Sequence, residues 1–312
     1  QTAAAVRFNG EVMRGFGLRF NGVDRFSTTH SVDMGGVTIS RSIYINRSAN
    51  WGRWLDTFTN TTKRIITIKV AFGGQSGIGS SGANSSAIVK TSSGDTAVTP
   101  ADSWVEVATP TEGTTMVGGP QATVLGTPTT AAKRFGGAIT FAGNWLDDPF
   151  NNPLSYNGHE RNFQAYVNTL TLSPGRSRSV LHFVILGSRV TVATSDAVRA
   201  MVEATANRLA EAPEISDLTV AEICSIANFD IASMTIGGFN YESCSNTKAL
   251  VVPQPPLPES RKPETASRYD VVEKTIGQLR HDMESGLTTS QEITQAYLDR
   301  IEFYDKGQFG YH

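Results

Sequence analysis

Charge is scarce in this sequence. Only 18% of its 312 residues are Asp, Glu, Lys or Arg, and they nearly cancel, leaving a net charge of −2. No stripe of Lys and Arg appears, so the electrostatic footprint of a nucleic-acid binder is missing. Long apolar runs are missing too. The longest, Val180 to Leu186, is broken by His182 and falls far short of the roughly 18 residues that cross a bilayer. Cysteine is reduced to Cys224 and Cys244. The two lack metal-site spacing, and no histidine cluster accompanies them. No candidate base lies near either one to make a thiol nucleophile. The pair therefore reads as a disulfide formed in an oxidising compartment, with two buried free thiols as the other reading.

Thr, Ser, Gly and Asn fill the place that charge leaves open, a composition typical of extracellular all-β domains. The chain opens at Gln1-Thr2-Ala3 without an initiator Met, as a mature N-terminus does after removal of a signal peptide, and secretion is expected. The length predicts one large or two smaller domains. Three Asn-x-Ser/Thr sequons, at Asn46, Asn60 and Asn84, carry little weight in a chain so rich in Ser and Thr.

Residues 1–194 read as strands. Arg7-Phe8-Asn9-Gly10 recurs as Arg19-Phe20-Asn21-Gly22, and Asn-Gly is the preferred type I′ hairpin dipeptide, so a meander is expected here. Further strands are predicted over 36–45, 51–59, 63–72, 86–91, 104–107, 138–141, 163–172 and 179–186. In the third of these, Ile65, Thr67 and Lys69 alternate with Ile66, Ile68 and Val70, giving a sheet one wet and one dry face. Many short strands with Gly, Ser and Asn between them argue for a β-sandwich. The length fits a large two-sheet supersandwich of the mutarotase-like kind better than an immunoglobulin-sized unit.

A helical appendix is predicted over 195–250. Val198, Met201, Val202, Thr205 and Leu209 form a stripe that ends before Pro213, and Thr219 with Glu222 caps a second helix carrying Ile223 and Ile226. Residues 251–265 hold prolines at 253, 255, 256, 258 and 263 and read as an extended linker. Residues 266–312 then form a helical hairpin. Val272, Ile276, Leu279 and Met283 line the first helix, Gly286 is its left-handed stop, Thr289 and Glu292 form a capping box, and Ile293, Tyr297, Leu298, Ile301 and Tyr304 line the second.

The residues of that hairpin say more than their spacing. Thr275-Ile276-x-x-Leu279, Gly286-x-x-Thr289-Ser290, Ala296-Tyr297-Leu298-x-Arg300-Ile301 and Tyr304-Asp305 resemble the N-terminal helical segment of the amidase-signature hydrolases. Those serine enzymes cleave carboxylic amide C–N bonds through an acyl-enzyme, using a Ser–Ser–Lys triad without metal or organic cofactor. In that family the helices open an α/β domain whose lysine and serines lie well after them. The resemblance covers 269–305 and reaches none of those positions, so it implies an inactive opening piece of a catalytic domain. Val272, Ile276, Leu279, Met283, Ile293, Tyr297 and Ile301 would then dock on the remainder of that domain, present as further or separately processed chain.

Other constellations invite chemistry and have plainer readings. Gly79-Ser80-Ser81-Gly82, downstream of Lys69, looks like a nucleophile strip, but it precedes the hairpin and reads as a hairpin tip. Asp147 and Asp148 with Asn144, Asn151 and Asn152 offer oxygen ligands to calcium without EF-hand spacing, and read as a surface loop. His30, His159, Glu160 and His182 are the parts available for sugar acid–base catalysis. Trp51, Trp54, Trp104 and Trp145 offer a sugar platform, but Trp51 and Trp54 are three apart on one strand and face opposite sides, so one of them is core. The expectation is the accessory portion of a secreted amidase-signature hydrolase. The alternative is a non-catalytic sandwich module that binds a polymer, a glycan or a partner chain.

Overall fold

The computed structural model describes residues 7–8, 11–12, 18–75, 87–108, 119–127, 141–142, 163–188, 195–255, 269–272 and 274–301. The chain divides into two compact units, Gln1–Leu257 and Pro258–His312. In the first unit the strands run, in chain order, β1 (Arg7–Phe8), β2 (Glu11–Val12), β3 (Leu18–Phe20), β4 (Arg25–Thr28), β5 (Val32–Asp33), β6 (Val37–Asn46) and β7 (Trp51–Asn60). They continue as β8 (Ile66–Gln75), β9 (Ala87–Thr91), β10 (Trp104–Ala108), β11 (Gln121–Val124), β12 (Phe141–Ala142), β13 (Phe163–Leu172) and β14 (Ser177–Leu186). Two helices follow, α1 (Ser195–Glu211) and α2 (Val220–Ser225).

These strands make two antiparallel sheets. The larger has nine strands in the order β3-β4-β6-β7-β14-β11-β10-β9, with β5 also on β6, and the smaller has five in the order β12-β13-β8-β1-β2. Period-two alternation sends apolar side chains of β7 and β14 to both faces of the larger sheet. Val37, Ile39, Phe58 and Val180 point to the smaller sheet, where Ile68, Val70, Tyr166 and Leu170 meet them. Leu55, Val124, Leu181 and Phe183 point the other way, against Val202, Ala206 and Leu209 of α1 and Ile223 after it. The first unit is thus a large β-sandwich with helices on the outer face of its larger sheet. The predicted wet and dry sides of β8 are observed: Ile65, Thr67 and Lys69 are exposed, while Ile68 and Val70 are buried.

Both helices start and stop where local chemistry dictates. Thr219 Oγ1 accepts the Glu222 N–H while the Glu222 carboxylate accepts the Thr219 N–H, so the capping box of α2 is formed. On α1 the buried face is Val202, Ala206, Leu209 and Ala210, whereas Met201 stands 47% exposed. The apolar stripe therefore lies closer to Ala206 than the larger side chains suggested. Cys224 and Cys244 are bonded, with Cα atoms 5.3 Å apart. Closing a loop of this size contributes about 3 kcal/mol on the chain-entropy model.

Asn228 fastens the segment after α2 to the larger sheet. Its Nδ2 donates to the carbonyls of Leu125 and Leu181 at 2.7 and 2.6 Å, and its Oδ1 accepts the Leu181 N–H at 2.9 Å. Gly126, with φ +141°, passes so close that a Cβ there would lie 2.0 Å from the Asn228 carbonyl oxygen. The first residues of the proline-rich stretch are not free: Val252 N–H donates to Ser177 Oγ, and Ser31 Oγ donates to the Pro255 carbonyl. Extended backbone with few N–H groups still has carbonyls to offer a hydroxyl-rich strand. The sequon at Asn60 is a structural residue, fully buried with Nδ2 bonded to the carbonyls of Arg64 and Leu172.

The Arg-Phe-Asn-Gly repeat does not build a meander. β1 and β2 pair Phe8 with Glu11 and join the smaller sheet, whereas β3 and β4 pair Phe20 with Phe26 in the larger. The second copy opens a longer loop because Asn21 Oδ1 captures the N–H groups of Val23, Asp24 and Arg25 at 2.9, 3.0 and 2.9 Å. That side-chain carbonyl outcompetes a two-residue turn.

The second unit contains α3 (Ile276–Glu284) and α4 (Ser290–Ile301). Gly286 has φ +73° between them, and Thr289 with Glu292 forms the expected box. A further box, Thr275 with Gln278, starts α3 at Ile276 and leaves Val272 outside the helix, which shortens the predicted stripe.

Candidate functional site

Two places in the first unit concentrate polar and aromatic groups. The first lies on the inner face of the larger sheet. Register sets Arg41 opposite Asp56 and Trp54 opposite His182. Arg41 donates to Asp56 through Nε and Nη2 at 2.5 and 2.9 Å, and both side chains are 1% exposed. The His182 ring lies flat between Trp54, 5.4 Å away, and Phe72 of the smaller sheet, 4.3 Å away. Burial holds the His182 imidazole well below the ordinary histidine range, and the Arg41 charge pushes it the same way. His182 Nδ1, Trp54 Nε1 and Asn168 Nδ2 are buried there without a hydrogen-bond partner.

This arrangement cannot run sugar acid–base chemistry. A general acid needs a proton near neutral pH and a path to substrate, and His182 is 1% exposed and held neutral. The neighbouring carboxylate, Asp56, is closed off by the Arg41 fork. His30 bonds Thr29 Oγ1 through Nδ1 elsewhere. The candidates His159, Glu160, Asn144, Asp147, Asp148, Asn151, Asn152, Trp145, Ser80 and Ser81 lie outside the described residues. Among the described residues no group of three His, Cys, Asp or Glu could hold a metal ion, and no helix is long and apolar enough to cross a membrane.

The second place is an open groove of about 520 Å³ on β3 and β4, lined by Arg19, Phe20, Asn21, Arg25, Ser27, Thr28 and Thr29. Asn21 fixes its end through the three captured N–H groups, and its Nδ2 donates to Asp24. Beside the groove, Arg25 ion-pairs with Asp217, which also takes a two-pronged contact from the buried Arg53 at 2.6 and 2.8 Å. Arg53 donates in addition to the Glu214 carbonyl. Both guanidiniums lie over the Tyr44 ring. Partial burial pushes the Asp217 carboxyl up, but the hydrogen bonds and charges of Arg53 and Arg25 outweigh it and hold it at about 2.

The sequence singled out neither Arg19, Arg25 nor Asp217. Its one signal, the repeated Arg-Phe-Asn-Gly, reads as a turn; the loop that Asn21 organises is what turns the second copy into a groove wall. Of the four tryptophans, Trp51 and Trp104 are core, Trp104 donating to Asn207, while Trp54 on the opposite face is half-buried. In the second unit the predicted docking positions Val272, Ile276, Met283, Tyr297 and Ile301 are exposed, Ile276 by 86%, while Leu279 and Ile293 are half-buried.

No protein-family model matches the chain, and no curated protein matches it significantly. Among solved structures it is similar to a protein assigned as a kojibiose phosphorylase from the human microbiome, with 10% identity and a TM-score of 0.37 over 66% of this chain and 25% of that one. A polysaccharide lyase gives 15% identity and 0.34 over 60% of this chain and 26% of the other. A galactose mutarotase-like protein from Lactobacillus casei gives 11% and 0.32 over 55% and 72%. The chain thus spans about a quarter of the first two. Likeness of this grade assigns no family and no activity, and the sandwich stands on its own strand pairing. Nothing in these comparisons supports the amidase-signature resemblance of residues 269–305.

Proposed function

We propose that residues 1–257 form a non-catalytic binding module of a larger secreted protein, and that its ligand is a glycan. The observation that carries this reading is the β3–β4 groove. Among the described residues its lining combines an amide, three hydroxyl side chains, two guanidiniums and a phenyl-bearing residue with no Asp or Glu. Such a surface suits sugar hydroxyls, and its described residues offer no carboxylate as general base or nucleophile. The bonded cysteines fit an oxidising compartment. Affinity electrophoresis of the full chain through gels containing neutral or acidic polysaccharides tests it. At least one polymer should retard the protein, and no new reducing ends should form. Migration unchanged by every polymer, or release of reducing ends, would reject the reading.

A second reading concerns the larger protein. The hairpin of the second unit carries the residue string of the amidase-signature segment, with its Gly286 stop and Thr289–Glu292 box in place. On that string, this chain precedes an amide-hydrolysing domain, and the exposed Val272, Ile276, Met283, Tyr297 and Ile301, with Leu279 and Ile293, dock on it. The chain alone is then inactive on a panel of carboxylic amides. Turnover by the purified chain would overturn that account.

A further inference from the structure

We infer that the β3–β4 groove selects an acidic polysaccharide, one carrying carboxylate or sulfate groups; this rests on the glycan-binding reading and names its ligand class. The argument is a charge count made group by group. Arg19, Arg25 and Arg53 contribute three positive charges at and beside the groove; among the described residues Asp217 is the one carboxylate paired with any of them, and Asp24 accepts from Asn21 at the groove's end, which leaves positive charge in excess. Arg53 is 1% exposed and takes both Asp217 oxygens, so Asp217 is already committed when Arg25 reaches its Oδ2. Arg25 therefore shares an oxygen that Arg53 already holds, and Arg19 is exposed and has no ion pair among the described residues. Among the described residues the lining holds no acid.

Strand geometry places the two groove arginines together. Arg19 sits opposite Ser27, and Arg25 lies two residues from Ser27 on the same strand, so Arg19 and Arg25 are diagonal neighbours on one face. Diagonal positions on adjacent strands are about 7–8 Å apart, within reach of long side chains. Two like charges so placed repel, and an anion between them removes the repulsion. The planar guanidinium fork matches a carboxylate or a sulfate two-pronged. Ser27 on the same face, and the exposed Thr29 beyond it, place hydroxyl groups for a sugar beside that anion. The volume, about 520 Å³, is that of a ligand site for a short stretch of polymer, within the usual range of about 300–1,000 Å³.

The test is affinity electrophoresis and titration of the full chain with polygalacturonate, its methyl ester, dextran, dextran sulfate and poly-glutamate. Polygalacturonate or dextran sulfate should retard the chain, and which of them does so separates carboxylate from sulfate recognition. Esterification should abolish the retardation by polygalacturonate, and raised salt should weaken binding, since exposed charges are screened. Arg19→Gln should weaken acidic-polymer binding about tenfold, the loss of roughly one charge-assisted contact; this side chain is exposed and has no ion pair among the described residues. Equal binding of dextran and polygalacturonate would overturn the acidic selectivity and leave the module reading intact. Binding of no polymer would sink both. Equal binding of poly-glutamate, or an Arg19→Gln variant that binds like the parent, would overturn the inference as well.

Discussion

Asp56→Ala should lower the unfolding free energy by about 3–5 kcal/mol, the usual consequence of removing one partner from a buried ion pair. Arg41 and Asp56 are each 1% exposed, and the guanidinium meets the carboxylate through two parallel hydrogen bonds. Without Asp56 the Arg41 charge stays in the interior beside the imidazole of His182, which is neutral and compensates nothing. The pair need not be stabilising as a pair, because desolvating both ions offsets much of their attraction. Arg41→Met combined with Asp56→Leu should therefore recover most of the loss. Urea unfolding of the three proteins measures it. A double variant as unstable as Asp56→Ala would mean that the two side chains hold the sheet by packing, and a harmless Asp56→Ala would mean that water reaches Arg41.

Much of the sandwich was legible in the chain because strand alternation is a local code. The pattern around Ile65 to Val70 gave the correct wet and dry sides of β8, and Thr219 with Glu222 placed the start of α2 within a residue. Less legible was whatever depended on one side chain competing with the backbone. Asn21 reads as half of an Asn-Gly turn, yet its carbonyl takes three N–H groups and builds a loop. Thr275 reads as a helix residue, yet its box with Gln278 starts α3 and excludes Val272. The groove was invisible for a further reason. Arg25 and Asp217 are 192 positions apart, and only the packing of the helical segment on the larger sheet brings them together. His182 lies in a strand, but its neutrality follows from burial beside Trp54 and Phe72 and from the Arg41 charge, which local sequence does not place beside it.

That neutrality predicts how the fold responds to acid. The unfolded chain protonates His182 near its ordinary pKa of about 6.5. Burial and the Arg41 charge hold the folded-state value well below that. A depressed folded value means that the unfolded state binds the extra proton first. Stability is therefore full above about pH 6.5 and is lost as pH falls, by about 1.4 kcal/mol per pH unit, until the folded protein itself takes the proton. Asp56, the nearest carboxylate, is engaged by Arg41 and offers the imidazolium no free partner. Other groups contribute in the same acidic range. Glu106, raised by burial against the opposing pull of Arg199, adds stability as pH falls, and Asp217, held at about 2, loses its contribution between about 4 and 2. His182→Phe separates these effects, since a phenyl ring can keep the stack between Trp54 and Phe72 while removing both the titration and the unpartnered Nδ1. At pH 7 the variant should be about as stable as the parent. Below pH 6.5 the parent should weaken relative to it, while Glu106 and Asp217 cancel in the difference. Urea midpoints for both proteins at pH 7, 6 and 5 decide the matter: parallel profiles would mean that the folded protein protonates His182 as readily as the unfolded chain does, and that the imidazole has an acceptor or water beside it.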